Sequence, residues 1–443
     1  MTLQKMSAYS KMTHSFLWSF GNPLVRYLYT FLLYLAMPFI FLRLLWRSRK
    51  LRDYRLRWRE RLGCYPFKMD RSLWVHAVSV GEVIAAIPLI KELQAQYPHY
   101  PMVVTTMTPT GAARVKAAFG ESVTHAYLPY DLPGALNRFL NAAHPVACII
   151  METELWPNLL AVCQLRGIPV CLTNARLSKK SARGYARIAP LTRSMLANVT
   201  HISACGQDDA DRFADLGARR EQMAVTGNLK FDLLIPEGLL EKASALRAKL
   251  GEDRFIWIAA STHEGEEDII LQAHRQVLDV DASALLILVP RHPDRFHQIA
   301  QLSASQFTTA RRSANDVVSA DTQVYLGDTM GEMLLLYGAA DVAFVAGSLI
   351  PRGGHNILEP AAFAKPILSG PHVFNFAEIC KMFARADALI TVDNADTLAA
   401  ALLRLMQQED ARLASGQRAR AVMDANRGAL AKQLQMIRQL IHS

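Results

Sequence analysis

Apolar runs alternate with helical patterns from Ser72 onward, and this alternation constrains the fold more than any other feature. "LWVHAVSV" precedes a helix from Val83, "MVVTTM" precedes "TPTGAARVKAAFG", and "VACIIME" precedes "LWPNLLAVCQLRG". Repeated strand–helix units with apolar strands predict a parallel sheet covered by helices on both faces. The order pauses around "TGNLKFDLLIPEG" and restarts with "FIWIAAS", "ALLILVP", "TQVYLGD", "VAFVAGS" and "KPILSG". We therefore predict an α/β chain with two consecutive doubly wound halves, joined near residues 230–250 and facing a cleft.

The positive charge of the chain is confined to its N-terminal end. The formal net charge is +10, from 49 basic and 39 acidic residues. Residues 1–61 carry twelve Lys/Arg against Asp53 and Glu60, which accounts for the whole excess. A nucleic-acid-binding protein is expected to carry a basic stripe on its folded body. No nucleic-acid partner is therefore predicted.

The N-terminal end also contains a long apolar stretch. Residues 27–42 carry no charge, and the mostly apolar stretch from residue 24 to residue 46 is longer than 20 residues. A bilayer span needs about 20 apolar residues, so we predict one anchoring helix, with Arg26 and Arg43 reaching the interfaces. The basic run that follows favours a cytoplasmic body and a contact with anionic membrane lipid. An amphipathic helix lying in the interface is the alternative.

Polar and charged residues follow several of the predicted strands. In doubly wound sheets, ligands bind beyond the carboxyl ends of the strands. An acid in the first turn of a helix is favoured by the helix dipole, which would explain Glu82 without catalysis. Arginine suits a phosphate because its planar fork donates two parallel hydrogen bonds. The candidate groups at strand ends are Glu82, Glu154, Lys230, Arg291, Asn356 and Glu359.

Several nucleotide and metal signatures are absent from the sequence. Neither a Walker A motif nor G-x-G-x-x-G occurs, which argues against a P-loop NTPase or a dinucleotide enzyme. The six cysteines form no C-x-x-C pair, so neither a zinc site nor a disulfide framework is predicted. His76, His263, His292 and His355 show no ligand spacing and are interpreted as polar residues at strand ends. No metal site is predicted.

Ordered motifs along the chain resemble those of one enzyme family. "HAVSVGE", "METELWPN", "ARLS", "TGNLKFD", "STHEGEE", "VPRHPDRF", "DTMGEM" and "GGHNILEPAAFAKPILSGP" resemble the motifs of the 3-deoxy-D-manno-octulosonic acid (Kdo) transferases of bacterial lipopolysaccharide synthesis. The resemblance runs from about residue 20 to the end. It implies a GT-B glycosyltransferase with two Rossmann-like domains and no cofactor or metal. It also implies transfer of Kdo, with inversion, from CMP-Kdo to a tetraacylated lipid A precursor (lipid IVA) at the cytoplasmic face of the inner membrane.

The resemblance also implies a domain order. Residues 1–61 would form the membrane anchor and its basic juxtamembrane segment. Residues 62–235 would form an N-terminal, acceptor-binding Rossmann-like domain. Residues 236–443 would form a C-terminal domain that binds the CMP-sugar, with a last helix able to pack back on the N-terminal domain.

Site residues are carried over from the family's motifs position by position. Glu82 matches the general base, and Glu154 and Lys230 match groups that assist the transition state. The CMP-contacting segments match Pro290, Arg291, Met330, Gly331, Glu332, Asn356, Ile357, Leu358 and Glu359. An apolar site would raise the pKa of Glu82 whereas the helix dipole would lower it, so the sequence leaves the net direction open.

Two alternative functions fit the same sequence. One is a membrane-associated GT-B enzyme that uses a UDP-sugar to make a different lipid-linked glycan. The other is an anchored protein without catalytic activity that binds anionic glycolipid. A basic run at residues 176–187 could meet the acceptor's phosphates, and a solvated basic face explains it nearly as well.

Overall fold

The computed structural model describes residues 23–49 and 52–442, which form two compact units. Unit 1 contains the described residues up to Asp232 together with 427–442, and unit 2 contains Leu233–Asn426. The division after Asp232 falls within the predicted pause in the strand–helix alternation. The predicted anchor and juxtamembrane segment (residues 1–61) lies partly outside the described residues, which begin at Pro23.

Unit 1 is built on a seven-stranded parallel sheet with the order β3-β2-β1-β4-β5-β6-β7. The chain order reverses between β1 and β4, which makes their carboxyl ends the switch point of the sheet. Strand β1 is buried along its full length and β4 at every position except Val146, because helices cover both faces. The strands are β1 (Ser72–His76), β2 (Met102–Thr106), β3 (Thr124–Tyr127), β4 (Pro145–Met151), β5 (Val170–Ala175), β6 (His201–Ala204) and β7 (Met223–Val225).

The helices of unit 1 begin where the sequence supplies suitable first residues. Pro109, Pro133 and Pro157 each occupy a first helical position, where the missing N–H breaks no intrahelical bond. The helices are α1 (Pro23–Arg47), α2 (Val80–Gln96), α3 (Pro109–Phe119), α4 (Pro133–Ala143), α5 (Pro157–Leu165), α6 (Lys179–Ala186), α7 (Ala189–Ala197) and α8 (Gln207–Asp215), with a last helix (Ala429–His442) that returns from the far end of the chain.

Unit 2 repeats the architecture with a sheet of order β10-β11-β9-β8-β12-β13-β14, also parallel throughout. The order reverses between β8 and β12. The predicted pair of doubly wound halves is therefore confirmed. The strands are β8 (Ile256–Thr262), β9 (Leu285–Pro290), β10 (Thr309–Arg311), β11 (Val324–Leu326), β12 (Val342–Val345), β13 (Ile367–Ser369) and β14 (Ile390–Thr391).

Eight helices surround the second sheet among the described residues. Asn394 and Thr397 form a reciprocal capping box at the start of one of them. They are α9 (Leu239–Leu250), α10 (Glu267–Leu278), α11 (Phe296–Ala304), α12 (Met333–Ala339), α13 (Leu358–Ala362), α14 (Ala377–Arg385), α15 (Ala395–Gln407) and α16 (Glu409–Ala425); the last helix of the chain, α17, belongs to unit 1.

Helix α17 packs against unit 1 through a buried stripe and a capped start. Ile437 and Leu440 lie in the same apolar cluster as Leu229 and the β4 residues. The Asp232 carboxylate accepts hydrogen bonds from the backbone N–H groups of Gly428 (2.7 Å) and Leu430 (2.5 Å). These bonds satisfy donors that the first turn of a helix leaves unpaired.

Helix α1 is the one helix, in the part of the chain that the structure describes, that is long and apolar enough to cross a membrane. The most apolar 18-residue window within Leu24–Arg47 has a mean hydropathy of 1.9, a criterion of length and composition only. The basic segment after it folds into unit 1, because Glu60 and Arg61 are buried. Glu60 accepts hydrogen bonds from the Arg57 guanidinium (2.6 Å) and from the Tyr127 backbone (2.9 Å).

Helix α16 passes close to the backbone just after α13 at Gly416. A side chain at this position is therefore expected to destabilise the fold. A Cβ on Gly416 would overlap the carbonyl oxygen of Ala364. We expect Gly416→Ala to destabilise unit 2 by about 1–3 kcal/mol, because the backbone must move to admit the methyl group. Thermal unfolding followed by circular dichroism measures the change.

Gly184 provides the control for that substitution. It lies in helix α6, and a Cβ there would meet no atom within 4 Å. Gly184→Ala should be neutral or stabilising by up to about 1 kcal/mol, because it reduces the freedom of the unfolded chain. Equal melting temperatures for the two variants would contradict the crossing contact.

Candidate active site

The carboxyl ends of β1 and β4 lie side by side, which brings the residues after them together. His76 at the end of β1 pairs with Ile150 of β4. The chain then turns into α2, which carries Glu82 in its first turn. After β4 it passes through Glu152 and Glu154 before α5 begins. The sheet order therefore converts two distant acidic motifs into neighbours.

The carboxylate of Glu82 is fixed by two local hydrogen bonds. Its Oε2 accepts from the backbone N–H of Val78 (2.7 Å), and its Oε1 accepts from the Ser79 hydroxyl (2.8 Å). Ser79 occupies the N-cap position of α2, yet its hydroxyl donates to Glu82 instead of capping the helix. The side chain is buried, with 8% of the residue exposed. Its position is consequently set by the strand–helix turn itself.

Burial decides the protonation of Glu82. Desolvation raises the pKa of its carboxyl from 4.5 to about 7, and the nearby charges of Glu152 and Glu154 act in the same direction. The hydrogen bonds from Ser79 and Val78 lower the pKa, but by less. The direction that the sequence left open is upward, because removing a carboxylate from water disfavours its charged form.

Glu154 is held by the indole of its neighbour in the same motif. Its Oε2 accepts a hydrogen bond from Trp156 Nε1 (2.8 Å), while the Trp156 ring packs against the core of unit 1. Burial raises the pKa of Glu154, and the charge of Glu152 adds to that rise. Glu152 itself has a φ of 57°, a left-handed conformation that is uncommon for a residue with a side chain. Such strain is often found at functional sites.

Lys230 joins this cluster through a tether to the end of β5. The Oδ1 atom of Asn174 accepts from the backbone N–H of Leu229 (2.9 Å), and Asn228 Oδ1 accepts from that of Lys230 (3.0 Å). Burial lowers the pKa of the Lys230 ammonium, and the carboxylate of Glu152 opposes that change most strongly, with a smaller contribution from Glu82. The three residues predicted to be catalytic therefore lie within one electrostatic cluster in unit 1.

Two members of this cluster were not among the predicted catalytic residues. Glu152 lies two positions before Glu154 in the same motif, but the family resemblance gave a role to Glu154 only. Asn174 positions the Lys230 segment through a hydrogen bond across 55 residues. Its own backbone is left-handed, with a φ of 54°. A lone asparagine at a strand end carries no sequence signal for either property.

In unit 2 the structure brings Arg291, Asn356 and Glu359 together. Arg291 follows β9, and its backbone N–H donates to the carbonyl of Thr262 (3.0 Å). Burial raises the pKa of Glu359, whereas the Asn356 amide at 3.2 Å and the charge of Arg291 lower it. Asn356 Oδ1 also accepts from the Leu358 backbone (3.2 Å) at the start of α13. A guanidinium and a carboxylate are thus placed beside a helix start.

The remaining donor-segment residues divide into backbone and side-chain contributors. Ile357 and Leu358 are fully buried core residues, so only their backbone atoms can contact a ligand. Gly331 has a φ of 85° and open space where a Cβ would lie. Met330 is 62% exposed, and Pro290 closes strand β9.

Glu332 is engaged by a neighbouring arginine. Its Oε1 accepts from Arg312 Nη2 (2.7 Å) and its Oε2 from Arg312 Nε (3.1 Å). The Thr329 hydroxyl also donates to it. This pairing lowers the pKa of the Glu332 carboxyl. Its side chain therefore shapes the segment, and its backbone is the part available to a ligand.

A buried carboxylate ties together the segments that follow β8 and β12. Glu266 accepts hydrogen bonds from four backbone N–H groups, at 2.7–3.1 Å, belonging to His263, Gly347, Ser348 and Leu349. It lies within the "STHEGEE" motif, which has three glutamates in four positions. The sequence does not indicate which of the three binds the backbone amides. Three of these four amides lie more than 80 residues away in the sequence, so the sequence alone did not indicate the role of Glu266.

The four histidines were interpreted as polar residues at strand ends, and for His76 this interpretation is wrong. His263 and His355 stack, with their Nε2 atoms 2.9 Å apart, and the His292 ring centroid lies 5.4 Å from that of His263. His76 is fully buried, and desolvation lowers its pKa to about 4, so it is a core residue. Among residues 23–49 and 52–442, no group of three or more His, Cys, Asp or Glu side chains is arranged to hold a metal ion.

The raised pKa of Glu82 predicts a pH-dependent stability difference. A carboxyl whose pKa is raised by folding contributes its full stability below 4.5 and loses it as the pH rises through about 7. At about 1.4 kcal/mol per pH unit, keeping Glu82 ionised costs about 3 kcal/mol. We therefore expect Glu82→Gln to be more stable than wild type by about that amount near pH 8, with the difference vanishing toward pH 4.5. Urea unfolding across this range measures it, and a difference that does not change with pH would contradict the shift.

Comparison with known proteins identifies the family. The profile of the 3-Deoxy-D-manno-octulosonic-acid transferase (kdotransferase) family matches residues 56–233, and that of Glycosyl transferases group 1 matches residues 253–422. The 3-deoxy-D-manno-octulosonic acid transferase of Haemophilus influenzae is 45% identical over 418 residues, covering 93% of this chain and 98% of that protein. The Bordetella pertussis enzyme of the same name is 38% identical over 382 residues, covering 83% and 87%.

A solved structure agrees at the level of the fold. UDP-GlcNAc 2-epimerase from Neisseria meningitidis is 12% identical, with a TM-score of 0.57, and the match covers 83% of this chain and 100% of that one. With the two parallel sheets and the group 1 profile, this likeness confirms the predicted GT-B fold. The sequence identity to the transferases carries the family assignment: this chain belongs to the 3-deoxy-D-manno-octulosonic acid transferase family of glycosyltransferases.

Proposed function

We propose that this protein transfers Kdo from CMP-Kdo to a lipid A precursor, with inversion and with tetraacylated lipid IVA as the acceptor. The family membership supports the reaction class. The observation that carries the mechanism is Glu82, a buried carboxyl with a pKa of about 7 beside Glu154 and Lys230. A group of that pKa accepts a proton near neutral pH without binding it permanently.

Glu82 acts as the general base in this proposal. The acceptor hydroxyl gives its proton to the Glu82 carboxylate while its oxygen attacks the anomeric carbon of Kdo. The bond from that carbon to the phosphate oxygen breaks, and its electron pair leaves with CMP. A single in-line displacement with one base inverts the anomeric centre. The hydrogen bonds from Val78 and Ser79 hold the carboxylate in one orientation during the transfer.

Glu154 and Lys230 stabilise the charges that develop in the transition state. The anomeric centre acquires oxocarbenium character, and a carboxylate such as Glu154 stabilises that positive charge. The Lys230 ammonium pairs with an anion, either the sugar's own carboxylate or the leaving phosphate. Burial strengthens both interactions because fewer water molecules screen them.

Unit 2 binds the cytidylate in this proposal. Arg291 is exposed after β9 and suits the single phosphate of CMP. Glu359, at the start of α13, can accept hydrogen bonds from both ribose hydroxyls. Gly331 lets its backbone approach the nucleotide closely, since no side chain fills the space beside it.

Membrane association is the remaining part of the proposal. Helix α1 supplies a long apolar surface, and the arginine-rich segment after it favours contact with anionic lipid at the cytoplasmic face of the inner membrane. An acceptor with fatty acyl chains is presented at that surface. No metal or cofactor is included.

Substituting the base tests the proposed reaction directly. We expect Glu82→Gln to lower kcat/KM by about 10²–10⁴-fold, because the amide cannot take the proton. For the wild type, kcat/KM should rise with pH and level off above about 7, where Glu82 is ionised. Mass spectrometry of the lipid product after incubation with CMP-Kdo and the tetraacyl precursor measures transfer.

Glu92→Gln is the matched control, because Glu92 lies on the same helix and is exposed. It should retain wild-type rates. Unchanged transfer by Glu82→Gln would remove the base assignment. Transfer from a UDP-sugar in place of CMP-Kdo would reject the proposed donor, and no turnover with any donor would favour a binding protein.

Removing the guanidinium of Arg291 tests the proposed donor site. We expect Arg291→Ala to weaken CMP binding by about 10–100-fold, the loss of a charge-assisted bond pair to phosphate. Arg404→Ala, which removes an exposed arginine of α15 in the same unit, should bind CMP normally. Isothermal titration calorimetry compares the two variants, and equal affinities would exclude Arg291 from the donor site.

A further inference from the structure

One face of helix α1 packs against the rest of unit 1 along nearly the whole helix. The covered positions recur every three or four residues, so they form a single stripe. Near the start, Val25 and Tyr29 pack against the main core of unit 1. Farther along, the stripe packs on Tyr130, Leu132 and Ala135. The covered residues are Val25, Tyr29, Leu33, Met37, Ile40, Phe41 and Leu44.

Buried hydrogen bonds join the first half of α1 to Asp131 and to the start of α5. Asn158 Nδ2 lies 2.9 Å from the Thr30 hydroxyl, and the Tyr29 hydroxyl hydrogen-bonds the carboxylate of Asp131. Asp131 accepts in turn from the backbone N–H groups of Asn158 (3.0 Å) and Leu159 (2.7 Å). Asp131 and Asn158 are both 1% exposed. A polar pair this deeply buried fixes the helix against one position of the body.

The second half of α1 is fastened through aromatic contacts. The Phe41 ring lies 5.6 Å from Trp58 and 5.9 Å from Tyr130, and the Arg47 guanidinium lies 5.6 Å from the Tyr54 ring. From Thr30 to Arg47 the helix rises by roughly 26 Å, at about 1.5 Å per residue. That length is nearly the ~30 Å hydrocarbon thickness of a bilayer.

These contacts are incompatible with a helix that crosses the bilayer by itself. If α1 crossed, the attached surface of unit 1 would enter the hydrocarbon with it. Asp131 and Asn158 at one end, and the arginine-rich segment after Arg47 at the other, would then lie within or across the membrane. Charged and polar groups at that depth are strongly disfavoured.

The uncovered face of α1 is a continuous apolar surface. Its large residues are 41–73% exposed, which is unusual for a surface facing water. They are Leu24, Tyr27, Leu28, Phe31, Leu32, Tyr34, Leu35, Phe39, Leu42, Leu45 and Trp46. Exposed arginines border its C-terminal end, with Asp53 the one exposed acid among the described residues from 43 to 61; they are Arg43, Arg47, Arg49, Arg55, Arg57 and Arg59. Apolar surface beside positive charge fits an anionic phospholipid leaflet.

We propose that α1 lies in the plane of one anionic leaflet and does not span the bilayer. Its outer face contacts the acyl chains, and its inner face packs against the rest of unit 1. This inference rests on the proposed membrane association and specifies its geometry. Asn158, which contacts Thr30 of α1, lies four positions after Glu154 in the sequence. An acceptor whose acyl chains occupy the same leaflet therefore has its headgroup beside the candidate catalytic segment.

Depth measurements along the outer face distinguish the two geometries. Leu28, Leu35 and Leu42 are two turns apart and 57%, 56% and 61% exposed, so they report one line along the helix. Each is replaced by cysteine in a Cys64→Ser full-length background, because Cys64 is an exposed cysteine. Each is then labelled with an environment-sensitive fluorophore. The proteins are bound to vesicles of phosphatidylcholine and phosphatidylglycerol that carry nitroxide spin labels either near the headgroup or deep in the acyl chain.

An in-plane helix predicts the same ratio of shallow to deep quenching at all three positions, within about twofold. The same labelled proteins bound to vesicles without nitroxide lipid give the unquenched reference intensity at each position. Deep quenching confined to position 35, with shallow quenching at 28 and 42, would overturn the inference and leave transfer activity untouched. Failure to bind vesicles would overturn both the inference and the proposed membrane association, whereas transfer assayed in detergent tests the reaction separately.

Discussion

Burial and hydrogen bonding act in opposite directions on the pKa of the Glu82 carboxyl, and the proposed chemistry depends on which is stronger. The turn from β1 into α2 gives this group two donors, Val78 and Ser79, yet excludes most water from it. Desolvation exceeds the effect of the donors, and the pKa rises to about 7. Because β1 and β4 are neighbours in the sheet, the same location also receives Glu152 and Glu154. The strand order thus brings the candidate catalytic carboxyls together, and burial raises the pKa of Glu82.

In unit 2, some residues of the candidate donor site can offer a ligand their side chains, and others only their backbone atoms. Arg291 and Glu359 present charged side chains, whereas Ile357 and Leu358 are core residues and Glu332 is paired with Arg312. Glu266 holds the segments around them through four backbone amides. A ligand at this edge of the sheet would meet a few charged groups on a backbone whose conformation is already fixed. Preorganisation of that kind lowers the ordering cost of binding.

Sequence reasoning succeeded where a pattern is local. Central strands such as β4 and β8 are long apolar runs, and the restart of the alternation predicted two halves. The edge strands β3, β7, β10 and β14 have two to four residues, and they were not predicted because polar or exposed positions interrupt their apolar runs. Asn174 and Glu266 were missed because the backbone segments that they hold, at Leu229 and at Gly347, lie 55 and 81 residues away in the sequence. The direction of the pKa shift of Glu82 could not be predicted, because it depends on how completely the fold excludes water.

Titrating the carboxyl of Glu82 itself shows whether burial sets its protonation. Difference infrared spectra between wild type and Glu82→Gln isolate the carboxyl and carboxylate bands of this one side chain as the pH is varied. We expect a midpoint near pH 7, because burial raises the pKa of this carboxyl. A midpoint near the ordinary glutamate value of 4.5 would show that the side chain is solvated, and the case for a general base at this position would be contradicted.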